Sequence, residues 1–224
     1  MKRDKLLAVV LAALPAVVLA AAPASPRDDL KRATQATPSA ERGSELFTQC
    51  VSCHGGRGGG QENGNTPRIA GQHYSVLLKQ LVDFRHGRRW DFRMEEYANQ
   101  HHLEGPQDIA DVAFYVNQLD AGQARGTGDG SHATDGARIF GTRCASCHGA
   151  SGRGDARKVV PQLAGQHYSY LVRQMYDAVD GRRPTLQKVH PPKIEPLDFA
   201  QVRAVADYLS RVDWDPPNAA SANP

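Results

Sequence analysis

Sulfur is scarce in this chain. Its 224 residues include four cysteines and three methionines, one of them Met1. Neither sign of charge is in clear excess: 27 Lys and Arg face 24 Asp and Glu, a formal +3. That is too close to balance for the electrostatic footprint of a nucleic-acid binder. No stretch alternates apolar and polar residues as a half-buried strand would, which argues against a sheet-based fold. The glycine-rich pieces Gly55 to Gly64 and Gly149 to Gly154 lack the Gly-Lys-Ser/Thr ending that grips a phosphate, so they read as plain loops.

The cysteines all fall in two copies of one pentapeptide, Cys50-Val51-Ser52-Cys53-His54 and Cys144-Ala145-Ser146-Cys147-His148. Two thiols at this spacing form thioethers with the two vinyl groups of one haem, and the histidine that follows reaches the iron from one face. Two copies that use every cysteine point to two covalently bound haem c groups. A zinc site joining both pairs would need tetrahedral convergence and would leave the histidines unexplained. A thioredoxin-like pair would sit in a βαβ pattern, but no strand signal surrounds either motif. A disulfide across so short a spacing would close a small, strained loop.

Residues 1 to 24 have the layout of an export signal. Lys2, Arg3 and Lys5 precede an apolar stretch from Leu6 to Ala22, and Ala22-Pro23-Ala24 offers small residues for cleavage. Export implies a periplasmic protein; left uncleaved, the segment is near spanning length and would tether the protein to a membrane. Its removal takes away three positive charges and one negative, leaving a formal charge of about +1. Residues 25 to 40, with Pro26 and Pro38 among Ala, Thr and Ser, read as a linker. Residues 215 to 224 read as a disordered tail.

Between these ends lies an internal repeat. A shift of 94 carries Cys50 onto Cys144, Pro67 onto Pro161, Gly71-Gln72-His73-Tyr74-Ser75 onto Gly165-Gln166-His167-Tyr168-Ser169, and Gly87-Arg88-Arg89 onto Gly181-Arg182-Arg183. The polar, glycine-rich stretch at 121 to 131 separates the copies, giving domains at 41 to 120 and 132 to 214. Domains of about 80 residues have small cores, and a buried haem would supply much of the missing apolar mass. Apolar residues recur at intervals of three and four in Tyr74 to Phe84 and Tyr168 to Val179. They do so again in Asp108 to Leu119 and Phe199 to Val212, predicting helices.

With these residues in place, the chain resembles the class I c-type cytochromes, and among them the diheme cytochrome c4 type, over about residues 41 to 212. The resemblance implies an all-α protein: two tandem class I cytochrome c domains, each a small helical fold around one covalent haem. It also implies that the first and last helices of each domain cross at a glycine–aromatic contact. The matching residues are Gly43, Phe47 and Tyr115 in one copy and Gly136, Phe140 and Tyr208 in the other. Cys50, Cys53, Cys144 and Cys147 would bind haem, and His54 and His148 the irons. The carbonyls of Pro67 and Pro161 would accept the second ring proton of those histidines, a contact that tunes a metal ligand. Met94 matches the distal methionine of the first domain, with His101 and His102 as competitors. Gln72, His73, Tyr74 and their repeats are expected at a haem edge or the domain interface. Arg88, Arg89, Arg182 and Arg183 either pair with haem propionates or form solvated turns.

The second iron departs from the pattern. The loop from Gly181 to His190 contains no methionine, and Met175, inside the preceding helix, reads as core. Lys188 aligns with Met94 under the shift of 94 but must lose a proton to ligate. His190 stands eighteen residues before Tyr208, where the family sets its methionine, and imidazole is a ready ligand at neutral pH. A sixth position left empty or filled by water, with His190 at the surface, is the third option.

The function implied is that of an electron carrier rather than an enzyme. It would pass single electrons in a periplasmic respiratory chain, from a quinol-oxidising complex or dehydrogenase to a terminal oxidase or reductase. Alternatives are a peroxidase-like or thiosulfate-oxidising haem enzyme with an open second iron, a cytochrome subunit of a larger oxidoreductase, and a small-ligand sensor. No output domain accompanies the last.

Overall fold

The computed structural model describes residues 24–187 and 190–214. The expected signal segment (but for Ala24), the expected tail and the candidate Lys188 lie outside them. Eleven α-helices account for most of the described chain. Among the described residues there is no strand, only an isolated bridge between Asp155 and Val160.

The first repeat is built from α2 (Ala40–Phe47), α3 (Val51–His54), α4 (Tyr74–Arg85), α5 (Phe92–Ala98) and α6 (Pro106–Gln118). The second follows with α7 (Ala133–Arg143), α8 (Ala145–His148), α9 (Tyr168–Val179), α10 (Pro191–Ile194) and α11 (Phe199–Arg211). Ser39 caps α2 by accepting from the Arg42 N–H, and Pro106 opens α6, where its missing donor costs nothing. Asp198 and Gln201 form a capping box on α11.

In each repeat the first helix crosses the last. A Cβ on Gly43 would come within 2.1 Å of the Asp111 carbonyl oxygen, and one on Gly136 within 1.9 Å of that of Ala204. Only glycine lets the backbones approach so closely. Beside each crossing an aromatic pair packs, Phe47 with Tyr115 at 5.5 Å and Phe140 with Tyr208 at 5.7 Å. The cores continue through Leu78, Val82, Ile109 and Val116 in one half and Ile139, Leu171, Val205 and Leu209 in the other.

Residues 25–40 depart from the expected linker: α1 (Pro26–Gln35) occupies most of that stretch. Ser25 caps it by accepting from Asp28 N–H, Pro26 takes the first position, and Asp28 and Asp29 sit in the first turn, favoured by the helix dipole. The helix packs on α4 and α6, with Ala33 fully buried and Asp29 2% exposed. Asp29 meets His86 Nε2 at 2.9 Å and Arg85 Nη1 at 3.7 Å. A short polar composition hid a docked helix.

The halves meet about a pseudo-two-fold axis. Gln72 donates from Nε2 to the Gln162 carbonyl (3.0 Å) and accepts from the Gln162 N–H (3.0 Å). Gln166 makes the same pair with Arg68, at 2.8 and 3.0 Å. His73 Nε2–H donates to the Arg153 carbonyl and His167 Nε2–H to that of Gly59, both at 2.8 Å. Arg68 and Gln162, and Gly59 and Arg153, are themselves 94 apart. The contact is therefore isologous, one patch used twice.

Candidate metal centre

One helical turn sets up each motif. Cys50 immediately precedes α3, so Cys53 lies three residues on, along one side of the turn, and His54 follows it. His54 is 5% exposed and donates from Nδ1 to the Pro67 carbonyl at 3.0 Å. Burial holds its pKa below the ordinary histidine value, against the opposing pull of that bond. The ring is therefore neutral, with its second nitrogen carrying a lone pair. Burial, followed by the charge of Cys53, pushes the Cys50 thiol up to about 11. None of the four cysteines is joined to another in a disulfide.

These residues wall an open cavity enclosing about 1700 Å³, its mouth included. Phe47, Leu77, Leu81, Val112 and Val116 supply apolar walls, and Met94 lines the same cavity as Cys50, Cys53, His54 and Pro67. Met94 stands in the first turn of α5, where Asp91 accepts from its N–H at 3.3 Å. His102 is occupied elsewhere, with Gln49 at 2.7 Å and its ring against Tyr97; His101 is exposed. Neither lines the cavity.

The second motif repeats the first. His148, 9% exposed, donates from Nδ1 to the Pro161 carbonyl at 3.2 Å, and burial lowers its pKa. The ring of His190 stands with its centroid 6.2 Å from that of His148, the planes at 63°. Backbone bonds hold His190: its N–H donates to Leu186 and its carbonyl accepts from Lys193 and Ile194. Pro191 and Pro192 open the one-turn helix α10 just after it. The His190 Nδ1 is buried without a partner. Burial, then the charges of His148 and Arg183, push its pKa down to about 4, so the imidazole is neutral. Met175 packs with Leu171 and Val202 as core.

The arginine pairs divide. Arg88 and Arg182, about half exposed, form ion pairs with Asp83 and with Asp177 and Asp180. Arg89 and Arg183 turn inward and converge on Gln80 and Gln174, with Arg89 also reaching the Tyr170 hydroxyl. Arg183 Nε and Arg68 Nε and Nη1 are buried donors without acceptors. An apolar cavity with two thiols, a neutral imidazole, a thioether and spare guanidinium donors suits a flat apolar macrocycle with carboxylate edges. Among the described residues no three His, Cys, Asp or Glu converge as a metal cluster, so a zinc site joining both cysteine pairs has no counterpart there. Gln80, Gln174 and Arg68 are among the lining residues that the sequence did not single out. The first two are 94 apart, a signal the repeat contained.

The fold and both motifs define a protein of two tandem c-type haem domains. The chain belongs to the cytochrome c family, whose model matches residues 40–120 and again 133–213. It is 31% identical over 186 residues to cytochrome c4 of Pseudomonas aeruginosa, covering 78% of this chain and 89% of that one. It is 30% identical to a thiosulfate dehydrogenase electron acceptor of Thiomonas intermedia, over 77% and 82%. The crystal structure of reduced cytochrome c4 from Pseudomonas stutzeri aligns with a TM-score of 0.70 at 26% identity, over 79% of this chain and all of that one. The protein is a diheme, cytochrome c4-like electron carrier with two covalent haem c groups, and its partners are redox proteins. Among the described residues no helix is long and apolar enough to cross a membrane.

Proposed function

We propose that Cys50 and Cys53 would hold the first haem, with His54 and Met94 as the side chains that would bind its iron, and that Cys144 and Cys147 would hold the second, with His148 and His190. When bound, each haem would supply one-electron redox chemistry at its iron. The polypeptide supplies the rest. The Pro67 and Pro161 carbonyls fix each histidine with Nδ1 protonated, leaving Nε2 for the iron. The apolar walls exclude water. No side chain is needed as a general acid or base.

Methionine ligation raises a haem's potential. The thioether of Met94 therefore makes the first haem the stronger electron acceptor, and electrons pass from the second domain to the first. The observation that carries this reading is the His148–His190 pair, 6.2 Å between ring centres with both rings neutral.

The charged, apolar and small-residue order of residues 1 to 24 supports export to the periplasm. There the protein would draw electrons from a quinol-oxidising complex or dehydrogenase and deliver them to a terminal oxidase or reductase. The relative named as an electron acceptor of thiosulfate dehydrogenase supports a dehydrogenase as one donor class.

Denatured protein should carry the added mass of two haems, and Cys147→Ser should leave the second poorly attached. His190→Met should raise one potential and leave the other nearly unmoved. A bare polypeptide mass, or two potentials indifferent to His190→Met, would refute the assignment.

A further inference from the structure

Where the halves meet, the repeat pairs two unlike buried side chains. Arg68 and Gln162 stand 94 apart, each directly after the proline that receives a histidine N–H. They are 1% and 3% exposed. Each gives its backbone N–H and carbonyl to a glutamine of the other half. Their backbones do the same work, but their side chains do not: one is a cation and the other is neutral.

The Arg68 guanidinium lies 4.5 Å from the Trp214 ring centre and donates from Nη2 to the Gly122 carbonyl. Its Nε and Nη1 are buried without acceptors. No carboxylate among the described residues forms an ion pair with it. Burial lowers its pKa only to about 10, so it remains charged at neutral pH. A buried, unpaired charge and two unmet donors are each costly. The indole face returns part of that cost; a neutral residue would have avoided all of it. The cavity that Arg68 lines is also lined by Cys50, Cys53, His54 and Met94, and Pro161 and Gln162 of the second half meet it across the interface.

We propose that Arg68 is a fixed cation that raises the potential of the first haem relative to the second, with its free Nε and Nη1 donors given to a carboxylate of that haem. The proposal rests on the reading that the first haem is the methionine-ligated one. Reduction adds one electron and lowers the iron's positive charge by one, with no bond made or broken, so a nearby cation favours the ferrous side. At an effective dielectric constant of about 20, a unit charge roughly 10 Å away changes such an equilibrium by about tenfold or more. Met94 and Arg68 then act on one haem in the same direction, while His190 and the neutral Gln162 leave the other low. If Arg68 only held Trp214 against the first domain, too far from the first haem for its charge to act, its replacement would leave the potentials alone.

Spectroelectrochemical titration of the full-length diheme protein separates the two roles. Arg68→Gln installs the residue that the second half uses and keeps the backbone bonds to Gln166. At a fixed applied potential, the reduced-to-oxidised ratio of the haem with the thioether-to-iron band should fall about tenfold, a 59 mV shift for a one-electron couple. The other haem should change less than threefold, and Arg68→Lys, which keeps the charge, should also change the first less than threefold. The proposal is overturned if Arg68→Gln changes neither ratio by threefold, moves both haems alike, or is matched by Arg68→Lys. Should Arg68→Gln fail to retain two haems, Gln162→Arg decides: about tenfold gain at the second haem supports the proposal and no gain ends it. The thioether band of the unsubstituted protein reports separately on the Met94 and His190 assignment.

Discussion

The rings of His148 and His190 stand 6.2 Å apart, centre to centre, with their planes at 63°. Two imidazoles sharing one metal through Nε2 would sit roughly 6.3 Å apart, taking a metal–nitrogen bond of about 2.0 Å and a ring centre about 1.15 Å beyond each nitrogen. Both planes can contain the common axis at any mutual angle, so 63° fits as well. His148 points its other nitrogen at Pro161, the orientation expected of a metal ligand. Where the loop from Gly181 to His190 has no methionine, His190 brings its ring to that separation.

The interface glutamines test how firmly the halves are joined. Gln72→Leu removes three hydrogen bonds, two of them across the interface, and strands the buried N–H and carbonyl of Gln162. The cost should be about 1–3 kcal/mol. Differential scanning calorimetry should show a lower melting transition with both haem spectra intact. An unchanged melting curve would mean that the pair contributes nothing net.

Helix α1 offers a second test. Asp29→Ala leaves Arg85 and His86 without their buried carboxylate. Breaking such a pair costs about 3–5 kcal/mol, and undocking of the helix is the available relief. Amide hydrogen exchange over residues 26–35 should accelerate by two orders of magnitude or so, while residues 74–85 keep most of their protection. Equal acceleration throughout the first domain would show that α1 is integral to that core.

At the helix crossings, Gly136→Ala forces a methyl group into the Ala204 carbonyl. Overpacking of this kind costs about 1–3 kcal/mol, borne by the second domain. Its haem should be lost at a lower denaturant concentration than the first, read from the separate absorbance changes of the two haems. Simultaneous loss of both would mean that the halves unfold as one unit.

Much of this was legible in the sequence because short spacings carry it. Cys50, Cys53 and His54 are fixed relative to one another by a single helical turn, and the shift of 94 announces a second copy without reference to any fold. Gly43 and Gly136 were placed through the family resemblance, and the close crossing, which tolerates nothing larger, supplies the reason. Long-range partners were not legible. Asp29 finds Arg85 and His86 more than fifty residues away, so a polar stretch with two prolines read as a linker. Arg89 and Arg183 carry the same local signature as Arg88 and Arg182. Only the packing of α4 against the second domain distinguishes the inward pair from the solvated one. Arg68 looked like any residue after a proline until Trp214 and Gln166 closed over it.

The central claim is that the two irons carry unlike ligands, and the near-infrared edge of the oxidised spectrum tests it most directly. Thioether-to-iron charge transfer gives a weak band that a bis-imidazole iron lacks. Measured against haem content in the fully oxidised protein, the band should have the intensity of one methionine-ligated haem per two haems and should vanish in Met94→His. A band of two-haem intensity, or none at all, would contradict the account.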